Sequence, residues 1–186
     1  MSRPFLRRIA ARAAPLSSTI TGNRWLRRHL PSLADPDLWH LNRHSTARGV
    51  AIGLACGLIP GPVQAIAAAL GCVMCRGNLP IAVATTFYTN PLTIVPLYAA
   101  AWHAGRLVLP SAHGMALPAP PDLTFDLDGV ASFIHWASSI GTPLAVGLPI
   151  LAALLAVAGF VAVHVAWRWH TLRAWRRRAL ARERRP

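Results

Sequence analysis

Three long apolar runs organise the chain. Residues 49–75 carry no charged side chain, residues 77–105 hold only His103 as a group that can charge near neutral pH, and residues 143–167 hold only His164. At about 1.5 Å rise per residue, a helix over the last run reaches about 37 Å, more than a hydrocarbon core of about 30 Å. The pattern predicts an all-α integral membrane protein with transmembrane helices. Two of the runs are interrupted. Ile59-Pro60-Gly61-Pro62 sits in the middle of the first. Its two prolines remove two backbone donors, and a proline inside a helix costs about 3 kcal/mol or more. The pieces on either side, 50–59 and 63–75, are about 15 and 20 Å long as helices, too short to span alone. Thr89-Asn90-Pro91 interrupts the second run, and Pro96 follows it. Asn is a good N-cap and Pro suits the first helical position. Gly61-Pro62 and Thr142-Pro143 repeat the arrangement, so helix starts are predicted at 62, 91 and 143.

Charge turns this pattern into a topology. Residues 1–48 hold nine arginines against Asp35 and Asp37, net +7. Residues 49–167 hold Arg76 and Arg106 against Asp122, Asp126 and Asp128, net −1. Residues 168–186 hold eight arginines against Glu183, net +7, completing the formal +13. Arginine-rich flanks stay in the cytoplasm, so both tails are expected there. That requires an even number of crossings from three apolar runs, and one run must turn back. With Pro60 and Pro62 as helix breaks, a re-entrant hairpin over 49–76 keeps Arg48 and Arg76 at one surface. Residues 81–105 then cross outward, with Pro91 as a further break, and 143–167 cross back. A second arrangement also satisfies the charges: 49–75 spans and 81–105 turns back. The composition fits neither a soluble globule nor a nucleic-acid binder. Only 13% of residues are charged, against about 25% in soluble domains, and the charge-poor centre of 119 residues serves no nucleic acid.

The remaining segments follow. Residues 1–40 form a basic cytoplasmic segment in which Arg7, Arg8 and Arg12 interrupt the only candidate signal-peptide core. Its arginine-rich, acid-poor character is shared with organelle transit peptides, which leaves that reading open. Residues 41–105 form the membrane core. Residues 106–142 read as an extracytoplasmic loop, with a short interfacial helix expected over 130–140 and Trp136 at the headgroups. The tail 168–186 interleaves Trp169, Leu172, Trp175 and Leu180 with arginine. It is either a segment lying on an anionic membrane surface or a frayed solvated tail.

Few motifs carry chemistry. Gly49, Gly53, Gly57 and Gly61 recur every four residues, a small-residue face that lets membrane helices approach closely. Thr85, Thr89 and Thr93 have the same spacing, with Thr86, Asn90 and Gln64 as further polar groups of the broken runs. Polar groups in hydrocarbon need partners. These either bond freed carbonyls around the breaks or line a mid-depth cavity. In the second case helix starts at 62 and 91 would favour an anion. Gln64, Thr89, Asn90, Gly61 and Arg48 are the candidate ligand-binding residues. Cys72-x-x-Cys75, with Cys56 elsewhere, lies in an apolar run and reads as small-residue packing rather than a metal or redox site. His40 and His44 have ligand spacing, but Leu41 stands where a metalloprotease carries glutamate, so an amphipathic helix is the better reading. Neither a catalytic triad nor paired carboxylates stand out, and neither cofactor nor metal is expected.

The run from Leu41 to Gly105 resembles the bacterial membrane family catalogued as domain of unknown function 2062. The resemblance rests on Arg43-His44-Ser45, Ala47-Arg48-Gly49, Gly53 and Gly57, then Pro60, Pro62 and Gln64. Arg76, Asn78-Leu79-Pro80, Thr89-Asn90-Pro91-Leu92-Thr93 and Pro96-Leu97-Tyr98 complete it. His44 departs from it, since the family often has a second arginine there. The resemblance implies a protein of the bacterial inner membrane and no reaction, and the charge pattern makes it multi-pass. Two functions fit. One is a re-entrant core that binds or moves a small or lipidic anion. The other is an adaptor or assembly factor that docks partners or anionic lipid through the glycine face and arginine-rich tails. An enzyme acting on lipid is a third. The expected partners are the bilayer and its anionic headgroups, with a homodimer open to so small a bundle.

Overall fold

The computed structural model describes residues 35–112, 116–119, 127–139 and 141–183, together with Arg28 and Ser32. The rest of the basic segment 1–34 and the stretch from Asp122 to Asp126 lie outside the described residues. The described chain is helical, with no strand. Among the described residues, a 3-10 turn over Pro36–Trp39 precedes six α-helices: α1 (Arg43–Cys56), α2 (Val63–Cys75), α3 (Leu79–Thr86), α4 (Pro91–Val108), α5 (Leu127–Ser139) and α6 (Gly141–Glu183).

Each boundary has a local cause. Asn42 caps α1 through its side chain, which accepts from the Ser45 amide at 2.8 Å, while the Asn42 amide donates to Ser45 Oγ. The first apolar run breaks at 57–62, where Gly61 adopts φ +77. The second breaks at 87–90 rather than merely kinking, and α4 restarts at Pro91 behind Asn90. Pro96 and Pro149 are accommodated inside α4 and α6. Two expectations need correction. His40 and His44 do not share a helix, because α1 begins only at Arg43. Trp136 is not an exposed interfacial anchor. The helix around it forms, but its ring is buried against Phe133, and its Nε1 donates to the Pro118 carbonyl at 3.1 Å.

Alpha six is the spine of the molecule. At about 1.5 Å per residue its 43 residues reach about 65 Å. It continues past residue 167 without a break, so the tail 168–183 is the same helix. Gly105 lies against Pro143, and Gly147 against the Ala101 carbonyl. Gly159 lies against Val50 and Leu54, and Arg43 reaches His164. Thus α4 and α1 stack end to end along α6, both antiparallel to it. Helix α2 returns antiparallel to α1, with Gly71 against Ile52. Helix α3 runs parallel to α1, pairing 49 with 78 and 53 with 82.

The glycine ridge sets the α1–α3 approach. A Cβ at Gly49 would stand 2.7 Å from the Asn78 carbonyl oxygen, and one at Gly53 would stand 2.6 Å from Thr85 Cβ. Gly57 abuts Tyr88. Gly61 does not continue the ridge, for it sits in the turn with nothing within 4 Å of a built Cβ. Two cores result. Leu38, Ala68, Cys72 and Ala82 close the hairpin, and Tyr98, Trp102, Phe133, Trp136 and Leu144 close the α4–α6 end.

Adding a methyl at Gly53 must separate α1 from α3. Gly53→Ala is expected to cost about 1–3 kcal/mol through overpacking. Gly61→Ala should cost about 1–2 kcal/mol through left-handed strain alone. Thermal unfolding in mild detergent reads the loss, and cross-linking across α1 and α3 separates the two, since only Gly53→Ala should weaken it.

Candidate functional site

The two breaks meet at the apex of the α1–α2 hairpin. A helix leaves its last four carbonyls without intrahelical partners. The Leu54 carbonyl at the end of α1, and the Gly57 and Leu58 carbonyls of the turn beyond it, are met by hydroxyls from the second break and from α4. Tyr88 Oη donates to the Leu54 carbonyl at 2.8 Å, Thr89 Oγ1 to the Gly57 carbonyl at 2.7 Å, and Tyr98 Oη to the Leu58 carbonyl at 2.9 Å. Thr89 Oγ1 also lies 3.1 Å from the Gln64 side-chain amide. A hydroxyl has one proton, and the Gly57 carbonyl is its nearest acceptor. The Gln64 contact is therefore best made by turning its NH2 toward the threonine oxygen. Thr85 and Thr86 bond back to the Ile81 and Val83 carbonyls, and Thr93 Oγ1 donates to the Tyr88 carbonyl at 2.8 Å.

The two helix starts at this apex differ. The α4 start is sealed by its own residues. Asn90 Oδ1 accepts from the Leu92 and Thr93 amides at 2.9 and 3.0 Å, and the Asn90 amide donates to Thr93 Oγ1. The α2 start has no side-chain cap behind Pro62. Gln64, Thr89 and Asn90 are thus brought together, with Gly61 in the adjoining turn. Arg48 is at the opposite end of the hairpin.

That open end carries its own polar cluster. Asn78 is fully buried. Its amide donates to the Ser45 carbonyl at 2.9 Å, its Oδ1 accepts from the Ile81 amide at 3.1 Å, and its Nδ2 donates to the His40 carbonyl at 3.3 Å. It thereby ties α3 to α1 and to the turn before it. Arg48 Nη1 donates to the Cys75 carbonyl at 3.2 Å, at the end of α2. Arg76 follows in the left-handed conformation, φ 51, and is exposed. Arg43 Nε donates to His164 Nδ1 at 2.8 Å, joining α1 to α6. Cys72 is buried and Cys75 exposed, both as free thiols. Among the described residues, no group of three histidine, cysteine or acidic side chains is assembled for a metal.

Sequence reasoning does not single out Tyr88, takes in Tyr98 and Arg43 only as parts of the family motifs, and does not pair Arg43 with His164. Tyr88 lies within the second break and Tyr98 about two turns into α4, so a tyrosine at and just beyond one proline break is the usable signal. The Arg43–His164 pair spans 121 positions and leaves none. Helix α6 supplies the clearest membrane character. Gly141–Arg176 is long and apolar enough to cross a bilayer, with mean hydropathy 2.5 over its most apolar window, of which only 11% is buried.

This helical architecture belongs to a family found in bacteria. Residues 25–176 match the family described as uncharacterized protein conserved in bacteria (DUF2062), and the chain belongs to it. The match extends well beyond 41–105, taking in the 106–142 segment and parts of both tails that the quoted motifs did not reach. No curated protein and no solved structure matches the chain.

The two asparagines at helix starts should differ in cost. Asn90→Ala removes an exposed cap, worth about 1 kcal/mol. Asn78→Ala removes a cap and also the tie from its buried Nδ2 to the His40 carbonyl, which keeps its bond from Ser45 Oγ, for about 2 kcal/mol in all. Thermal unfolding of the two variants in the same detergent checks the order.

Proposed function

We propose that this chain is a multi-pass protein of the bacterial cytoplasmic membrane that binds an anionic lipid at the open end of a re-entrant hairpin. In this reading α6 crosses the bilayer and sets the depth scale. Pro143 to His164 covers about 32 Å, close to a hydrocarbon core. Leu54 packs at the level of Gly159, so the apex at 57–62 falls near the level of residue 155, roughly mid-depth. Helices α1 and α2 then enter from the cytoplasmic side and return. Helices α3 and α4 cross together as one broken span. The arginine-rich tails flank the cytoplasmic face, as the charge pattern favours.

One observation carries the ligand. Arg48 and Arg76 bracket the open end, Arg48 being fixed to the last carbonyl of α2. Below them α2 presents Val63, Ile66, Leu70 and Met74, all exposed and in one helical stripe. Two guanidiniums above an apolar stripe match a phosphate headgroup above an acyl chain. The apex suits an anion less well, because Asn90 Oδ1 is spent on its own helix and Thr89 on a carbonyl. A second reading, an adaptor, draws on the cytoplasmic extension of α6. There Trp169, Leu172 and Trp175 are exposed, and Arg173 stacks 4.1 Å over Trp169. The glycine face no longer serves that reading, because it packs on α3.

Native mass spectrometry of the full chain released from nanodiscs tests the first reading. Anionic phospholipid should be retained over zwitterionic. At about 1 kcal/mol per arginine, the Arg48→Gln/Arg76→Gln variant should lose about tenfold or more of it. A bound water-soluble solute that disappears in Gln64→Ala would overturn the lipid assignment in favour of the apex. For the adaptor, deletion of 168–186 should abolish function while lipid retention at the hairpin persists.

A further inference from the structure

Helix α1 is held to α6 at two levels. Toward the apex the contact is apolar, with Gly159 against Val50 and Leu54. At the open end it is polar, with Arg43 Nε donating to His164 Nδ1 at 2.8 Å. A guanidinium can only donate. His164 Nδ1 must therefore offer a lone pair, which makes the imidazole neutral with its proton on Nε2. That Nε2 is enclosed and has no hydrogen-bond partner. The ring is boxed by Phe160, with centroids 4.5 Å apart, and by the edge of His44 at 5.3 Å. Thr46 Oγ1, one turn along α1 from Arg43, is likewise enclosed without a partner.

We propose that His164 is a proton-binding site, and that loading it releases the first turns of α1 from α6. A proton on Nδ1 turns the acceptor into a donor facing the Arg43 donor, so the bond is lost. It also places a second full positive charge beside the guanidinium. Among the described residues, no neighbouring charge compensates. The titratable and charged groups facing His164 from α1 are Arg43 and His44, with Arg48 a turn further on. On α6 itself Arg168 follows one turn later. Helices α4 and α5 lie along the other half of α6. Gly105 of α4 meets α6 at Pro143, about 30 Å from His164 along the helix. None of these groups is a carboxylate. Any neutral acceptor would satisfy Arg43, whereas histidine is the side chain whose ordinary range lies near physiological pH. The Gly159 contact contains nothing to titrate, so the hairpin should swing from its open end and stay docked at the apex. Arg43 would then be free at the mouth between Arg48 and the extended α6. The inference does not depend on which anion the hairpin binds.

Hydrogen exchange of the α1 amides in the full chain, held in nanodiscs, tests it. An ordinary histidine is mostly neutral at about pH 7.5, and enclosure and the Arg43 guanidinium hold His164 below the ordinary range, so the titration is followed down to about pH 4.5. After correction for intrinsic exchange, protection over 43–50 should fall about tenfold across that range. His164→Asn keeps an acceptor for Arg43 and cannot titrate, so its protection should stay at the high-pH level throughout. His44→Gln should keep most of the response. Unchanged protection in the native chain, or the same loss in His164→Asn, overturns the proposal. Nitrogen NMR of histidine-labelled native protein gives a readout that needs no variant. At high pH the proton of His164 should sit on Nε2, and at low pH both nitrogens should carry one. A proton on Nδ1 at high pH, or a ring still neutral at about pH 4.5, would equally overturn it.

Discussion

The fold depends on pairing the carbonyls that a helix leaves behind when it stops among apolar surroundings. Helix α1 ends inside the bundle, where each unpaired carbonyl carries a desolvation cost of about 1–3 kcal/mol. Three hydroxyls, from Tyr88, Thr89 and Tyr98, meet the carbonyls of Leu54, Gly57 and Leu58. All three come from the break between α3 and α4 or from just beyond it. The second break therefore exists at the depth where the first one needs donors. A straight helix over 79–108 would carry Tyr88 and Thr89 around its own axis and leave the end of α1 unpaired.

Close backbone approach makes that pairing reachable. Gly49, Gly53 and Gly57 bring α3 onto α1, while Gly105 and Gly147 bring α4 onto α6. Two glycine seams therefore fix two helix pairs, and α6 joins them because it is long enough to touch both. The polar cluster around Asn78 then ties the foot of α3 to the start of α1. Close packing and satisfied hydrogen bonds reinforce one another here, since hydroxyls reach across only if no side chain intervenes.

Much of this was legible in the residues. The proline and asparagine signals put helix starts at 62, 91 and 143, and the observed helices begin at 63, 91 and 141. Those signals are local: a cap and a fixed φ act within one turn. Four-residue spacing marked a packing face as well, but not its partner, because α3 pairs with α1 only through tertiary contacts. For the same reason the chain could not disclose the Arg43–His164 bond. Trp136 read as an interfacial residue because an indole is amphipathic, and the Pro118 carbonyl that buries it lies in a loop without a pattern of its own. The continuous helix through residue 183 was hidden by a composition change at 168, which alters what surrounds the helix and not whether it forms.

The distribution of spent and unspent polar groups argues where activity sits. At the apex, Thr85, Thr86, Thr89, Asn90 and Thr93 all bond the backbone, so their presence in an apolar run is explained by architecture. At the open end the accounting differs. Arg48 uses one nitrogen on Cys75 and keeps donors to spare, and Arg76 is exposed on a strained residue. His164 holds a proton that meets no acceptor. A group that architecture does not consume is one that a ligand can recruit, and here such groups share one end of the hairpin. A proton at His164 and an anion at Arg48 and Arg76 would act on opposite ends of one short helix foot. Releasing Arg43 adds a third guanidinium to that rim, so protonation and anion binding should reinforce each other through the charge they bring together.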